Sequence, residues 1–191
     1  MKKLVVALFL AVALIVPALA DTDLELIPKI GYLFSPEITV DSNSFSDESG
    51  ISLGVELFFD MQNNFFLGAG LIWGQNTKYD SHVDESIGFT NLYAAAKYKV
   101  LVNGSENDPF YLYPFVQLGV GLPGWEYSGF IRDYEIDGSL YWGLGVGAEI
   151  KNIVLEFMYG CNYATRKASN YKDSDFTYTA FRINVGYKFV L

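Results

Sequence analysis

The sequence predicts an all-β fold: a transmembrane antiparallel up-and-down β-barrel of about eight strands. Three observations predict it. Apolar residues alternate with polar ones over runs of strand length, the charges within those runs share one face, and the connections between runs alternate long and short.

The first element is a leader. Lys2 and Lys3 precede an apolar run from Leu4 to Val16, then Pro17 and the small-residue pattern Ala18-Leu19-Ala20. This is the layout of a secretory signal peptide, and the run is shorter than the roughly 20 apolar residues of a membrane helix. Residues 1–20 are therefore expected to be removed after Ala20. No cysteine lies near that point to carry a lipid anchor.

Residues 21–191 then make one barrel domain, with no linker or composition shift to mark a second. Loss of the two leader lysines moves the formal net charge from −9 to −11, with 11 Lys and Arg against 22 Asp and Glu. So acidic a chain speaks against nucleic acid. The single cysteine, Cys161, has no partner for an internal disulfide, and no Cys/His cluster points to a metal; no cofactor is expected.

Eight alternating runs follow: Leu24 to Phe34, Ile51 to Phe59, Phe65 to Gln75, Phe89 to Val100, Phe110 to Leu122, Ser139 to Ile150, Ile153 to Tyr163 and Phe176 to Leu191. Most approach the roughly 9 to 11 residues that a tilted strand needs to cross a bilayer. The polar stretches Ser35 to Gly50, Asn76 to Gly88, Pro123 to Gly138 and Ala164 to Asp175 read as long loops. Between them fall the tighter Asp60 to Asn64, Leu101 to Pro109 and Lys151-Asn152. Short turns on one side and long loops on the other are the asymmetry of an outer-membrane barrel.

The charges test this reading. Glu25, Lys29, Glu56, Lys97, Lys99, Glu149, Glu156, Arg182 and Lys188 all fall opposite the apolar series of their own strand. Alternation alone does not distinguish this from a soluble, lipocalin-like barrel turned the other way out. The membrane reading rests on the continuity of the apolar series, its terminal aromatics and the glycines of the opposite series. Trp73, Phe89 and Trp142 are expected to face outward near the long loops, and Phe59, Phe65, Tyr98 and Phe189 near the short turns, as two girdles. In the fifth run, Tyr111, Tyr113 and Phe115 oppose Leu112, Pro114 and Val116, and either set could face out.

Inward glycines (Gly54, Gly68, Gly70, Gly119, Gly121, Gly143, Gly145, Gly147 and Gly186) make room in a narrow lumen for Tyr93 and the long charged side chains. The spacing Gly143-Leu144-Gly145-Val146-Gly147 is that of a strand face, since a phosphate-binding loop would open a helix. Lys29, Glu56, Glu156 and Arg182 fall at mid-height on strands that become neighbours when the first closes on the eighth, and are expected to form one interior network.

The opening Ile27-Pro28-Lys29-Ile30-Gly31-Tyr32-Leu33-Phe34, the run Tyr113-Pro114-Phe115-Val116-Gln117-Leu118-Gly119-Val120-Gly121 and the closing Asn184-Val185-Gly186-Tyr187-Lys188-Phe189 carry a resemblance. Together they resemble the small outer-membrane β-barrel superfamily of OmpA-type transmembrane domains, OmpX and the opacity-type surface proteins. The resemblance spans residues 21–191 and implies fold more than function. It also implies a terminal strand read by the barrel-assembly machinery, where Leu191 stands in place of the usual aromatic. Outer-membrane lipid and lipopolysaccharide are the expected surroundings.

Function is less legible. A structural or surface-interaction protein, such as an adhesin or surface antigen, would meet an external ligand or host surface through the long loops. Two of these are acidic, with Glu37, Asp41, Asp47 and Glu48 in the first and Asp133, Glu135 and Asp137 in the third. The alternative is a narrow channel for small or hydrophobic solutes. A lipid A-modifying enzyme would need a nucleophile and a base in reach of each other. The sole histidine, His82, lies among Asp80, Ser81, Asp84, Glu85 and Ser86 without a recognisable catalytic spacing, so no enzyme is expected.

Overall fold

The computed structural model describes residues 24–40, 43–46, 49–74, 77–80, 83–103, 109–127, 134–168 and 171–191. The expected leader, His82 and the tips of the loops lie outside them. Eight principal strands are present: β1 (Leu24–Val40), β2 (Gly50–Asp60), β3 (Phe65–Gly74), β4 (Val83–Tyr98), β5 (Phe110–Tyr127), β6 (Tyr134–Ile150), β7 (Ile153–Ala168) and β8 (Tyr171–Tyr187). Each pairs antiparallel with its sequence neighbours, and β8 pairs with β1, so the wall closes on itself. Closure leaves no exposed sheet edge inside a bilayer, where an unpaired peptide group has no water to bond.

Alternation sorts the side chains as expected. Ile30, Leu53, Leu71, Leu118, Leu144, Leu155 and Val185 point outward and are exposed, while Lys29, Glu56, Lys97, Glu149, Glu156 and Arg182 are buried inside. The apolar series therefore faces lipid and the charged series fills the lumen, the reverse of a soluble barrel. In β5 the structure turns Tyr113 and Phe115 inward and Leu112, Val116 and Leu118 outward. Trp73, Trp142, Tyr98 and Phe189 are all exposed outward.

Phe89 departs from expectation. It is only 4% exposed and turns into the lumen, where it packs on Phe176 and Tyr178 with ring centroids 6.2 and 5.4 Å apart. Its phase follows Asn91 and Tyr93, which are inward on the same strand. The same parity includes Ala95 and Lys97, so the alternation of the strand itself assigns Phe89 to the lumen, and its aromatic chemistry serves there as an interior cap.

The strands also run further than the alternation. β4 begins at Val83 rather than Phe89, β5 continues to Tyr127, and β6 and β8 begin at Tyr134 and Tyr171. Above the bilayer both faces of a strand meet water. Ladder hydrogen bonds continue there with no apolar pattern to mark them.

Prolines punctuate the wall. A strand proline lacks the N–H for one of its two ladders, so it interrupts pairing on that flank alone. Pro28 remains opposite Val55 of β2, but the β1–β8 ladder skips from Lys29↔Gly186 to Leu26↔Phe189. Pro114 remains opposite Val146 of β6, but the pairing with the chain after β4 skips from Lys97↔Phe115 to Val100↔Leu112. Pro123 remains opposite Phe89 of β4, and the β5–β6 ladder ends at Gly121↔Ser139.

Candidate functional site

The lumen is the only place where the fold gathers buried charge, among the described residues. At its centre Lys29 of β1 stands between two carboxylates. Its Nζ donates to Glu56 Oε2, and it lies 2.7 Å from each oxygen of Glu156. These groups are almost wholly buried, so their attraction offsets a large desolvation cost only if the remaining lone pairs are also bonded.

They are bonded. Tyr93 Oη and Gln117 Nε2 donate to Glu56 Oε1 at 2.8 and 3.0 Å. Tyr113 Oη donates to Glu156 Oε1 at 3.0 Å and Asn184 Nδ2 to Glu156 Oε2 at 3.3 Å. Tyr141 Oη donates to Gln117 Oε1 at 2.6 Å, which fixes the amide so that its nitrogen faces Glu56. The donors come from β4, β5, β6 and β8, so the trio is tied to the wall on all sides.

Glycines make this packing feasible. Gly147 lies opposite Tyr113 in the β5–β6 register, and Gly70 opposite Tyr93 in the β3–β4 register. A Cβ at Gly70 would sit 2.6 Å from Tyr93 Oη, and one at Gly147 would overlap the Tyr113 ring. Each ring thus occupies the space that a side chain on the neighbouring strand would fill.

Arg182 does not join Glu156. In register it faces Met158 and Leu33, whereas Glu156 faces Asn184 and Gly147. Its guanidinium neighbours the Tyr141 hydroxyl, and its Nε and Nη1 have no hydrogen-bond partner within the protein, although the residue is only 7% exposed. The expected four-residue network is thus a hydrogen-bonded trio with a separate arginine above it. Two residues of offset along β8 separate Arg182 from the position opposite Glu156, and strand counting does not resolve that step.

A second charge layer, not assembled from the sequence, lies at the short-turn end. Glu25 accepts from Lys97 at 2.8 Å and from Lys99 at 2.6 Å. Glu149 bonds to Lys188, and Lys99 Nζ lies 2.8 Å from Glu149 Oε2, off the hydrogen-bonding direction. Lys97 also sits over the Phe58 ring at 3.9 Å, a cation–π contact strengthened by burial. The inward phase of these five residues was legible, but their meeting required the tilt and stagger of the closed wall.

Apart from Arg182, the described lumen between and above the layers is apolar or uncharged. Ile27, Phe58, Phe66, Phe115 and Val154 pack between them, and Leu33, Ile38, Phe89, Phe176 and Tyr178 close the long-loop end. A groove of about 580 Å³ around Leu112, Pro114, Val146, Ala148, Leu155 and Phe157 lies on the outward apolar side.

Comparison with known proteins agrees with this architecture. No curated protein matches the sequence. Among solved structures the chain is similar to Neisserial surface protein A, at 14% identity and TM-score 0.51, over 86% of this chain and 97% of that one. It is similar to the outer membrane protein AlkL at 10% identity and TM-score 0.50, over 87% and 90%. Ail, the attachment invasion locus protein of Yersinia pestis, is more distant, at 15% identity and TM-score 0.47 over 86% and 98%. Likeness at these identities shows the fold alone. The family model for the outer membrane protein beta-barrel domain matches residues 5–189, and the chain belongs to that family.

Proposed function

We propose that this is an integral outer-membrane barrel of structural or surface-interaction type, with a membrane section that acts as a plug and an outer rim that does the binding. The observation that carries this reading is the Lys29–Glu56–Glu156 trio, held from the surrounding wall by Tyr93, Tyr113, Gln117 and Asn184. A solute moving down the axis would have to separate buried ion pairs, at about 3 to 5 kcal/mol for each partner removed. The apolar cluster around Phe89 and Tyr178 adds a dry layer above it.

One observation favours the narrow-channel reading. Arg182 Nε and Nη1 and Asn91 Oδ1 are buried without partners, which suits a wet belt in the upper lumen. Water there would stop at the trio. The surroundings proposed for the barrel are outer-membrane lipid and lipopolysaccharide. Outward Tyr187 at the end of the closing strand and Phe189 just after it support recognition by the assembly machinery.

The test is electrical and adhesive. Purified protein in a planar bilayer should give little steady conductance, and cells displaying it should bind a host-surface panel in a way that loop exchange abolishes. Large, stable single-channel currents would overturn the plug. Retention of binding after exchange of every long loop would overturn the rim.

A further inference from the structure

We infer that the upper lumen holds a binding site for a small monovalent anion, of halide size, beside the Arg182 guanidinium and between the Tyr141 hydroxyl and Gly160. The inference goes beyond the plug and the rim, since neither needs an ion in the lumen.

The described lumen is not charge-balanced. Lys29, Lys97, Lys99, Arg182 and Lys188 stand against Glu25, Glu56, Glu149 and Glu156, which leaves one cation in excess. Each lysine lies within ion-pair distance of a carboxylate, whereas Arg182 pairs with none among the described residues. The trio below carries a surplus negative charge, but all four of its carboxylate oxygens are taken. Tyr93 and Gln117 donate to Glu56 Oε1 and Lys29 to its Oε2, while Lys29, Tyr113 and Asn184 share the two oxygens of Glu156. A guanidinium does not deprotonate in a protein, so one this deeply buried calls for a counter-charge of its own.

Arg182 also has donors to offer. Its Nε and Nη1 are buried with no hydrogen-bond partner within the protein. The neighbouring Tyr141 hydroxyl spends its proton on Gln117 Oε1, at 2.6 Å, so the guanidinium supplies the donors at this spot. Asn91 Oδ1, likewise without a partner, is an acceptor and calls for water rather than for an anion.

Gly160 supplies the room. A Cβ at Gly31, Gly70, Gly121, Gly143 or Gly147 would come closer than 3.0 Å to a neighbouring atom, so the lumen is filled at those positions. Gly160 differs. It shares the inward phase of Glu156, Met158 and Asn162 and lies one inward step above Met158, the residue opposite Arg182. A Cβ there would meet the Tyr141 ring no closer than 3.4 Å, its hydroxyl at 3.6 Å and Met158 Cε at 3.8 Å. The bare backbone thus leaves space for an occupant of methyl size beside the hydroxyl that the guanidinium adjoins. Leu33, Phe89, Phe176 and Tyr178 form a dry layer above it, and so low a local dielectric strengthens the attraction between cation and anion.

The experiment refolds the full-length mature barrel in detergent with sodium bromide as the probe. Sodium gluconate at matched concentration is the reference, because its anion is too large for the space at Gly160. An ion that binds only the folded barrel raises its urea midpoint by mass action. The wild-type midpoint should therefore rise with bromide and level off as the site fills. Arg182→Met, which removes the donors, should show no such rise. Gly160→Ala, which keeps the guanidinium and fills the space with a methyl group, should need about tenfold more bromide or lose the response. Heat-modifiable migration on gels checks that each variant is folded, and Gly160→Ala carries the test should Arg182→Met not fold. In crystals grown from bromide, an anomalous peak should stand beside Arg182 Nε or Nη1. Equal wild-type midpoints in the two salts, an unchanged bromide response in Gly160→Ala, or the lack of a peak beside Arg182 would each overturn the site and assign these N–H groups to water. Those results would leave conductance and loop-dependent cell binding untouched, so they are separable from failure of the proposed function.

Discussion

Tyr113 packs over Gly147 across the β5–β6 ladder, and its hydroxyl reaches Glu156 on the strand beyond. The ring needs the missing side chain, because a Cβ at position 147 would fall within it. A first prediction follows for the wall. Gly147→Val should destabilise the barrel by about 1 to 3 kcal/mol through overpacking. Tyr113→Ala in the same chain should return part of that loss. Urea-induced unfolding in lipid vesicles measures both, and strictly additive effects would mean that the two residues do not share the space.

The central trio makes a sharper forecast. Lys29→Met leaves Glu56 and Glu156 facing one another without a cation, and should cost about 3 to 5 kcal/mol or prevent folding. Lys29→Met with Glu56→Gln and Glu156→Gln should recover most of it, since neutral amides do not repel. A triple variant no more stable than the single one would show that the carboxylates are not the source of the loss.

Arg182 provides the contrast. It stands opposite Met158 and not beside Glu156, which faces Asn184, so a double-mutant cycle between Arg182→Met and Glu156→Gln should show coupling of only about 0.5 kcal/mol or less. The cycle between Lys29→Met and Glu156→Gln should fall in the range of about 0.5 to 3 kcal/mol expected of residues in contact. Equal coupling in the two cycles would place the arginine in the trio after all.

These three positions show what a strand pattern can and cannot convey. The phase of Lys29, Glu56, Glu156 and Arg182 is set by period-two alternation and was legible, as was the inward run of glycines. Which of them touch depends on the stagger between strands, and a step of two residues along β8 moves Arg182 from one partner to another. Phe89 was legible too, since it shares the parity of Tyr93 and Lys97, but an aromatic at a strand end mimics a girdle residue and outweighs that phase. The length of the strands above the membrane was hidden, since water on both sides removes the alternation.

Export gives a separate prediction. If residues 1–20 act as a leader, the protein recovered from membranes should begin at Asp21, resist alkaline extraction and migrate differently on gels before and after boiling. N-terminal sequencing and the paired gel lanes decide it. A soluble periplasmic monomer would contradict the membrane reading altogether.

The last prediction separates lipid from water at the outward face. Leu144 in β6 and Ile153 in β7 are nearly equally exposed, at 57% and 58%. On a barrel surrounded by water, arginine at either site would be equally harmless. In a bilayer the sites differ by depth, because Leu144 lies well inside its strand while Ile153 opens β7 at the short-turn end, opposite Ile150. Leu144→Arg should therefore cost about 2 to 4 kcal/mol and Ile153→Arg about 0 to 1 kcal/mol. The difference should appear in vesicle-embedded protein as a lower urea midpoint for Leu144→Arg alone. Both side chains point outward, away from the charged lumen, so the lost stability reports on the surrounding medium. Equal midpoints for the two variants would mean that the exposed apolar band does not lie in hydrocarbon.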